Sequence, residues 1–148
     1  MLRDLDNDAV CAARFLESNR FRPERWMVFR LAVREVEAWL LADAHALSRF
    51  LRIPEGRVPA DPDAEKDPTL TLVNLARQST SPRIRQAIVP ARGDRVQVGK
   101  LYEATIIEFA ENHWSLERAS QRSRSLARAR TALEALAKRW GRYALVEG

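Results

Sequence analysis

The residues with the most chemistry in them stand at the start of the chain. Met1–Asp8 reads MLRDLDND, so Asp4, Asp6 and Asp8 alternate behind a short apolar run. Carboxylates two apart, where a strand turns into a loop, can converge on one hard divalent cation, Mg2+ or Mn2+. Such an ion keeps several waters and takes phosphate oxygens, an arrangement suited to phosphodiester chemistry. A second acid group, Glu35, Glu37 and Asp43, falls within Val28–Asp43, VFRLAVREVEAWLLAD. Glu35, Trp39 and Asp43 are four apart and share one helical stripe, with Glu37 on another face. If the strand instead continues through Glu37, both glutamates point the same way. Either geometry can aim a carboxylate at Asp4 and Asp6. Asp4, Asp6 and Asp8 are therefore the candidate metal ligands, and Glu35 and Glu37 the candidate catalytic groups. Two plainer assignments stay open: the aspartates as an acidic run feeding a helix dipole, and the glutamates as surface partners of Arg30 and Arg34.

Other chemistry is sparser. An EF-hand loop would need Gly where Ala9 stands and Glu where Phe15 stands. His45 and His113 have no Cys or His at metal-binding spacing. The chain contains no G-x-S-x-G, P-loop or G-x-G-x-x-G. Arg83 and Arg85 offer guanidinium groups suited to bidentate phosphate contact, or to neutralising the acids of a nearby Pro-rich loop.

These residues need elements to hold them. Met1–Arg3 reads as the end of a strand, shorter than the usual five or six residues, which points to an N-terminally shortened chain. Asp8 can cap a helix over Ala9–Glu17, and Asn19–Arg25 is a turn with Pro23. Trp26–Val33 is aromatic and β-branched, a strand. Its part Met27–Val33 is expected to pair in parallel with Leu2–Arg3 through a right-handed crossover. Both acid groups would then lie at the carboxyl edge of one sheet, where open α/β sheets bind ligands. From Arg34 the pattern turns helical as far as Leu51, with a break near Asp43. Ile53–Pro68 holds four of the seven prolines and reads as a surface loop. Helices follow at Thr69–Gln78, at Ser81–Val89 with Ser81 as cap and Pro82 first, and, after a Pro90–Gly99 loop, at Lys100–His113. Ser115–Ser120 is a helical turn. Ser123–Trp140 is the longest helix, with Leu126, Ala129, Leu133, Leu136 and Trp140 on one side and Gly141 as its end.

The chain is one domain of 148 residues, 46% hydrophobic and 30% charged. It divides into an α/β core over 1–53 and a helical extension over 54–148. No apolar run approaches the roughly 18 residues of a membrane span, and the N-terminus lacks a signal-peptide pattern. The lone Cys11 excludes an internal disulfide. A cytoplasmic protein without membrane contact is the expectation. The net charge is +5, with a pI near 10.1. From Trp114 onward eight Lys or Arg stand against three Glu; before it, 17 stand against 17. The whole excess thus lies in the C-terminal helical segment, where it could meet a phosphate backbone or form a solvated face.

Several segments, taken in order, resemble the domain-of-unknown-function 4276 family: LRDLDNDA, LAVREVEAWLLAD, SPRIRQAIVP, VGKLYE, and W-x4-A with RSRSLARA. The E-x-E-A-W-L-L-A-D block is the most specific. That family resembles the TOPRIM fold of topoisomerases, primases and OLD-type nucleases. The resemblance implies a partial TOPRIM-like α/β core with a short parallel sheet, and Mg2+ on the D-x-D motif at Asp4 and Asp6. It also implies nuclease-type phage-defence chemistry beside an ABC-type ATPase partner. TOPRIM domains carry a catalytic glutamate after an earlier strand, and this chain starts at the D-x-D strand, so catalysis would be incomplete. A sheet begun in mid-strand should also leave an exposed apolar face or open edge near Met1–Leu5, covered by a second copy in a homodimer or by missing sequence. The alternative is a non-catalytic nucleic-acid-binding or protein-interaction module that uses the basic C-terminal helix.

Overall fold

The structure, a computed structural model, describes residues 2–4, 30–32 and 36–144, with side chains described over 36–139. Helices dominate it. In chain order they are α1 (Val36–Ala42), α2 (Ala44–Leu51), α3 (Pro68–Arg77), α4 (Pro82–Ile88), α5 (Tyr102–Asn112), α6 (Leu116–Arg122) and α7 (Arg124–Ala144). The extended structure among the described residues is two three-residue segments, β1 (Leu2–Asp4) and β2 (Arg30–Ala32), running parallel with Leu2 opposite Arg30 and Asp4 opposite Ala32.

This overturns the α/β expectation. A TOPRIM-like core needs a sheet layer that helices can cover on its faces. Here the apolar residues from Val36 onward bury themselves against other helices. Leu41, Leu47, Leu51, Leu72, Val73, Ile88 and Phe109, from five helices, are wholly buried in one cluster. That cluster extends from Leu40 to Phe109, across position 53. A second, smaller cluster joins Trp39 and Ala42 of α1 to Ala119 of α6 and Leu126 and Ala129 of α7. The Ala9–Glu17 helix, and the rest of the Trp26–Val33 strand beyond β2, lie outside the described residues.

Local chemistry sets the breaks. Asp43 interrupts the long helix as expected: its side chain accepts from the Ala46 amide at 3.2 Å and so caps α2. α2 ends on Arg52 in the left-handed region, φ 53°, whose N–H reaches Arg49 and Ser48 carbonyls while Ile53 N bonds Ser48 O at 2.9 Å. Glycine is the usual residue there, and an L-residue costs about 1–2 kcal/mol in that conformation. The 53–68 segment is more structured than a surface loop. It forms 3-10 turns at Glu55–Arg57 and Pro62–Ala64 and buries Ile53, Val58 and Pro62.

α3 starts with Pro68 behind Asp67, which accepts from Leu70 N at 2.7 Å. α4 also begins with proline, but Ser81 makes no side-chain cap. Instead the buried Ser79 hydroxyl accepts from Ser81 N at 3.0 Å. At the other end of α4, Gly99 N bonds Ile88 O at 2.8 Å. A Cβ at Gly99 would meet the Ala87 carbonyl oxygen and come within 2.8 Å of Ile88 C, so only glycine lets the backbone approach so closely. α7 runs through Gly141 to Ala144 rather than stopping at the glycine. One glycine costs a helix interior about 1 kcal/mol, too little to end a helix of 21 residues. Among the described residues no helix is long and apolar enough to cross a membrane.

Candidate functional site

The acids expected to gather at a sheet edge are only partly described. Asp4 ends β1 opposite Ala32; Asp6, Asp8 and Glu35 lie outside the described residues. Glu37 has other work. It sits in the first turn of α1, and its Oε1 accepts from the Tyr102 hydroxyl at 3.3 Å, tying α1 to the start of α5. Among the described residues no group of three or more His, Cys, Asp or Glu could hold a metal ion.

Arg83 and Arg85 do not form a joint phosphate clamp. Two residues apart on a helix are separated by about 200°. Arg85 Nη1 donates to the Ser79 carbonyl and braces the turn before α4. Arg83 is 82% exposed and lies 3.5 Å from Glu108.

What the structure does assemble is a pair of acid anchors that hold the C-terminal arm. The first is Asp43, whose side chain is fully buried. It accepts from Arg118 Nε at 2.9 Å, Arg118 Nη2 at 2.7 Å, Ser115 N at 2.8 Å and Ala46 N at 3.2 Å. Burial alone pushes this carboxyl up. The Arg118, Ser115 and Ala46 hydrogen bonds outweigh it and hold the group below its ordinary value. The same contact raises the Arg118 guanidinium. Arg118 is bidentate on the carboxylate, the strongest geometry open to it.

The second anchor is Asp63. Its Oδ1 accepts from Ser123 Oγ at 2.8 Å and Ser125 Oγ at 2.9 Å, and its Oδ2 from Ser125 N at 3.0 Å. Ser123 Oγ in turn accepts from Leu126 N at 3.1 Å, and Ser125 Oγ from Trp39 Nε1 at 2.8 Å. Trp114 Nε1 donates to the Trp39 carbonyl at 2.9 Å. Arg122 adds a bond from Nη2 to Pro59 O at 2.7 Å. The first turn of α7 is thus fixed to the body through Asp63 and Trp39, and the end of α6 through Pro59.

α7 also lies close to β2, and its burial changes along its length. Leu126 and Ala129 are buried, but Leu133, next on the same stripe, is 56% exposed. On the opposite side Arg124, Arg128 and Lys138 fall on one helical stripe, and Arg139 beside it; all four are exposed. From Arg124 to Lys138 the stripe spans about 21 Å at 1.5 Å per residue. Two acids near it among the described residues are engaged: Glu134 pairs with Arg130 at 2.8 Å, and Glu117 lies 3.8 Å from Arg130.

Sequence reading found the basic helix but not its mounting. Asp43 showed as a break because capping is local. Asp63 gave no local signal, since its partners stand 60 and 62 residues away. Comparison with family models, with curated proteins and with solved structures finds no match to this chain.

Proposed function

We propose that this chain is a non-catalytic nucleic-acid-binding module that grips the phosphate backbone with the exposed basic face of α7. The observation that carries the reading is the combination of mounting and charge. Two anchored acids fix the start of the arm, and the arm then presents Arg124, Arg128 and Lys138 along one face, with two neighbouring acids already paired. The whole excess of positive charge lies in this part of the chain. Fluorescence anisotropy of a labelled duplex, titrated across ionic strengths, tests it. Three phosphate contacts predict a log–log salt slope of about −2.7. The triple variant Arg124→Gln, Arg128→Gln, Lys138→Gln should lose most binding and flatten that slope. Salt-independent binding, or a triple variant that binds like the parent, sinks the proposal. The cytoplasm is the compartment this reading places it in.

A second reading rests on a different observation: β1 and β2 are parallel and end together at Asp4 and Ala32. Positions 6 and 35 follow those ends by two and three residues in sequence. On this reading Asp4, Asp6 and Glu35 hold Mg2+ or Mn2+. The resemblance to the 4276 family then supplies phosphodiester chemistry and an ABC-type ATPase partner. Bound metal would stabilise the fold by mass action, so Mg2+ should raise the melting temperature of the parent and not of Asp4→Asn, Asp6→Asn. An unmoved melt ends this reading and leaves the first untouched.

A further inference from the structure

We propose that the cleft between α2, α4 and α5 is a binding site for a nucleoside 5′-phosphate. The cleft has a volume of about 210 Å³ and lies on elements other than α7, so this proposal stands apart from the basic face described above. Its polar lining residues include Arg52, Arg83, Ser81, Thr105 and Glu108, and its apolar lining includes Phe50. His113 completes it beside Phe50, with ring centroids 5.2 Å apart.

Arg52 carries the argument furthest. It occupies a helix-end position with φ 53° where glycine costs nothing. Strained residues of this kind persist where the surroundings over-determine them and cluster at ligand sites. The surroundings here do so: Arg52 O accepts from Thr80 N at 3.4 Å and Thr80 Oγ1 at 3.3 Å. Those bonds bind the end of α2 to the turn that opens α4, and Arg85 and the buried Ser79 brace that turn from behind. One wall, of which Arg52 is part, is thus held in place.

The opposite wall is exchangeable. Arg83 and Glu108 face each other at 3.5 Å, with side chains 82% and 43% exposed. A surface pair of this kind contributes little, so a phosphate can draw Arg83 away at small cost. That leaves Glu108 free to accept hydrogen bonds. A bare dianion would meet Glu108 as a like charge. A ligand that brings hydroxyl donors beside its phosphate turns the same carboxylate into a partner, and a ribose does so. The flat part of such a ligand has Phe50, itself packed on Phe109 at 5.2 Å, and the exposed His113 to lie against. The volume is below the roughly 300–1,000 Å³ of drug-sized sites, which fits one nucleotide with its base partly in solvent.

Isothermal titration with adenosine 5′-monophosphate tests this, with inorganic phosphate and adenosine as the separated halves. The monophosphate should bind about tenfold or more tightly than either half. Arg52→Gly should weaken it by about tenfold while the variant melts at or above the parent's temperature, since glycine relieves the left-handed position. Arg83→Gln, on an exposed side chain, should weaken it similarly without moving the melt. A free nucleotide and the 5′ end of a strand share this chemistry. An oligonucleotide with and without its 5′-phosphate, bound to the α7 triple-Gln variant, separates them: tighter binding than the monophosphate, lost on dephosphorylation, assigns the strand end, and any other result assigns the free nucleotide. The proposal is overturned if the monophosphate does not bind, if inorganic phosphate binds as well, or if both variants bind like the parent.

Discussion

Asp43 and Asp63 do the same job with different partners. Each is a carboxylate in the body of the molecule, and each holds one end of the segment that leads into α7. Every group that donates to Asp43 is an N–H: two amides and the Arg118 guanidinium. Asp63 receives one amide and two hydroxyls. An N–H can only donate, whereas a hydroxyl can reverse and accept. Asp43 also has a formal counter-charge, while Asp63 has only the first turn of α7, whose unpaired amides and dipole favour a negative group. The first site therefore requires a charged acceptor; the second requires good acceptor geometry.

The largest effect should come from removing the charge at Asp43. Asparagine there keeps the shape but turns an NH2 towards donors that cannot accept from it. Breaking a buried pair costs about 3–5 kcal/mol. The Arg118 side chain is 47% exposed and can rehydrate, so Asp43→Asn should fall at the low end, about 3 kcal/mol, measured by urea or thermal melts.

Acidity sharpens the same point more gently. Asp43 is held below its ordinary value of 3.8 in the folded protein. A depressed carboxyl contributes stability that is fully present above the unfolded value and is lost as pH falls through the folded one. Parent and Asp43→Asn should therefore differ most at neutral pH, and converge as melts are taken below 3.8. A gap that stays constant down to strong acid would show that the ionised carboxylate is not what matters.

What could be read from the sequence divides along the same line. The helix break at Asp43 and the proline at the head of α4 are legible, because a cap and a first-turn proline act locally. The expected Thr69–Gln78 helix lies one residue from the observed Pro68–Arg77. The α/β architecture does not follow from the sequence because periodicity shows which face of a helix is apolar but not what it packs on. Leu40, Leu41 and Leu47, on helices as expected, pack in a helical core rather than on a sheet. Gly141 was overweighted as a stop, since propensity is a weak prior beside tertiary packing. Asp63 was hidden in a Pro-rich stretch whose composition says surface, and nothing nearby announces a carboxylate aimed at Ser123 and Ser125. The partner of Glu37 is likewise a tyrosine 65 residues on. Long-range partners of this kind have no periodicity to betray them.

Asp63 supplies the smaller effects. Alanine there strands two hydroxyls and the Ser125 amide at the start of α7, and should cost about 1–2 kcal/mol, the range of a lost helix cap. Asparagine should cost about 0.5 kcal/mol or less, because Asn caps about as well as Asp. With its amide turned so that Oδ1 takes the Ser125 N–H, its NH2 faces the Ser123 and Ser125 oxygens. Each of those oxygens already accepts one bond, from Leu126 N and from Trp39 Nε1, and each has a second lone pair to offer. If the NH2 donates to Ser123 Oγ alone, the Ser123 hydroxyl can donate to Ser125 Oγ across the 3.1 Å between them; both oxygens are then full, and the Ser125 hydroxyl proton and the second amide N–H turn to other acceptors. The informative measurement is the ratio of the two asparagine variants in paired melts. A large loss at Asp43 beside a negligible one at Asp63 upholds the distinction between fixed and reversible donors. Equal losses would show that Asp63 needs its charge as well, and that the dipole of α7 supplies a counter-charge comparable to Arg118.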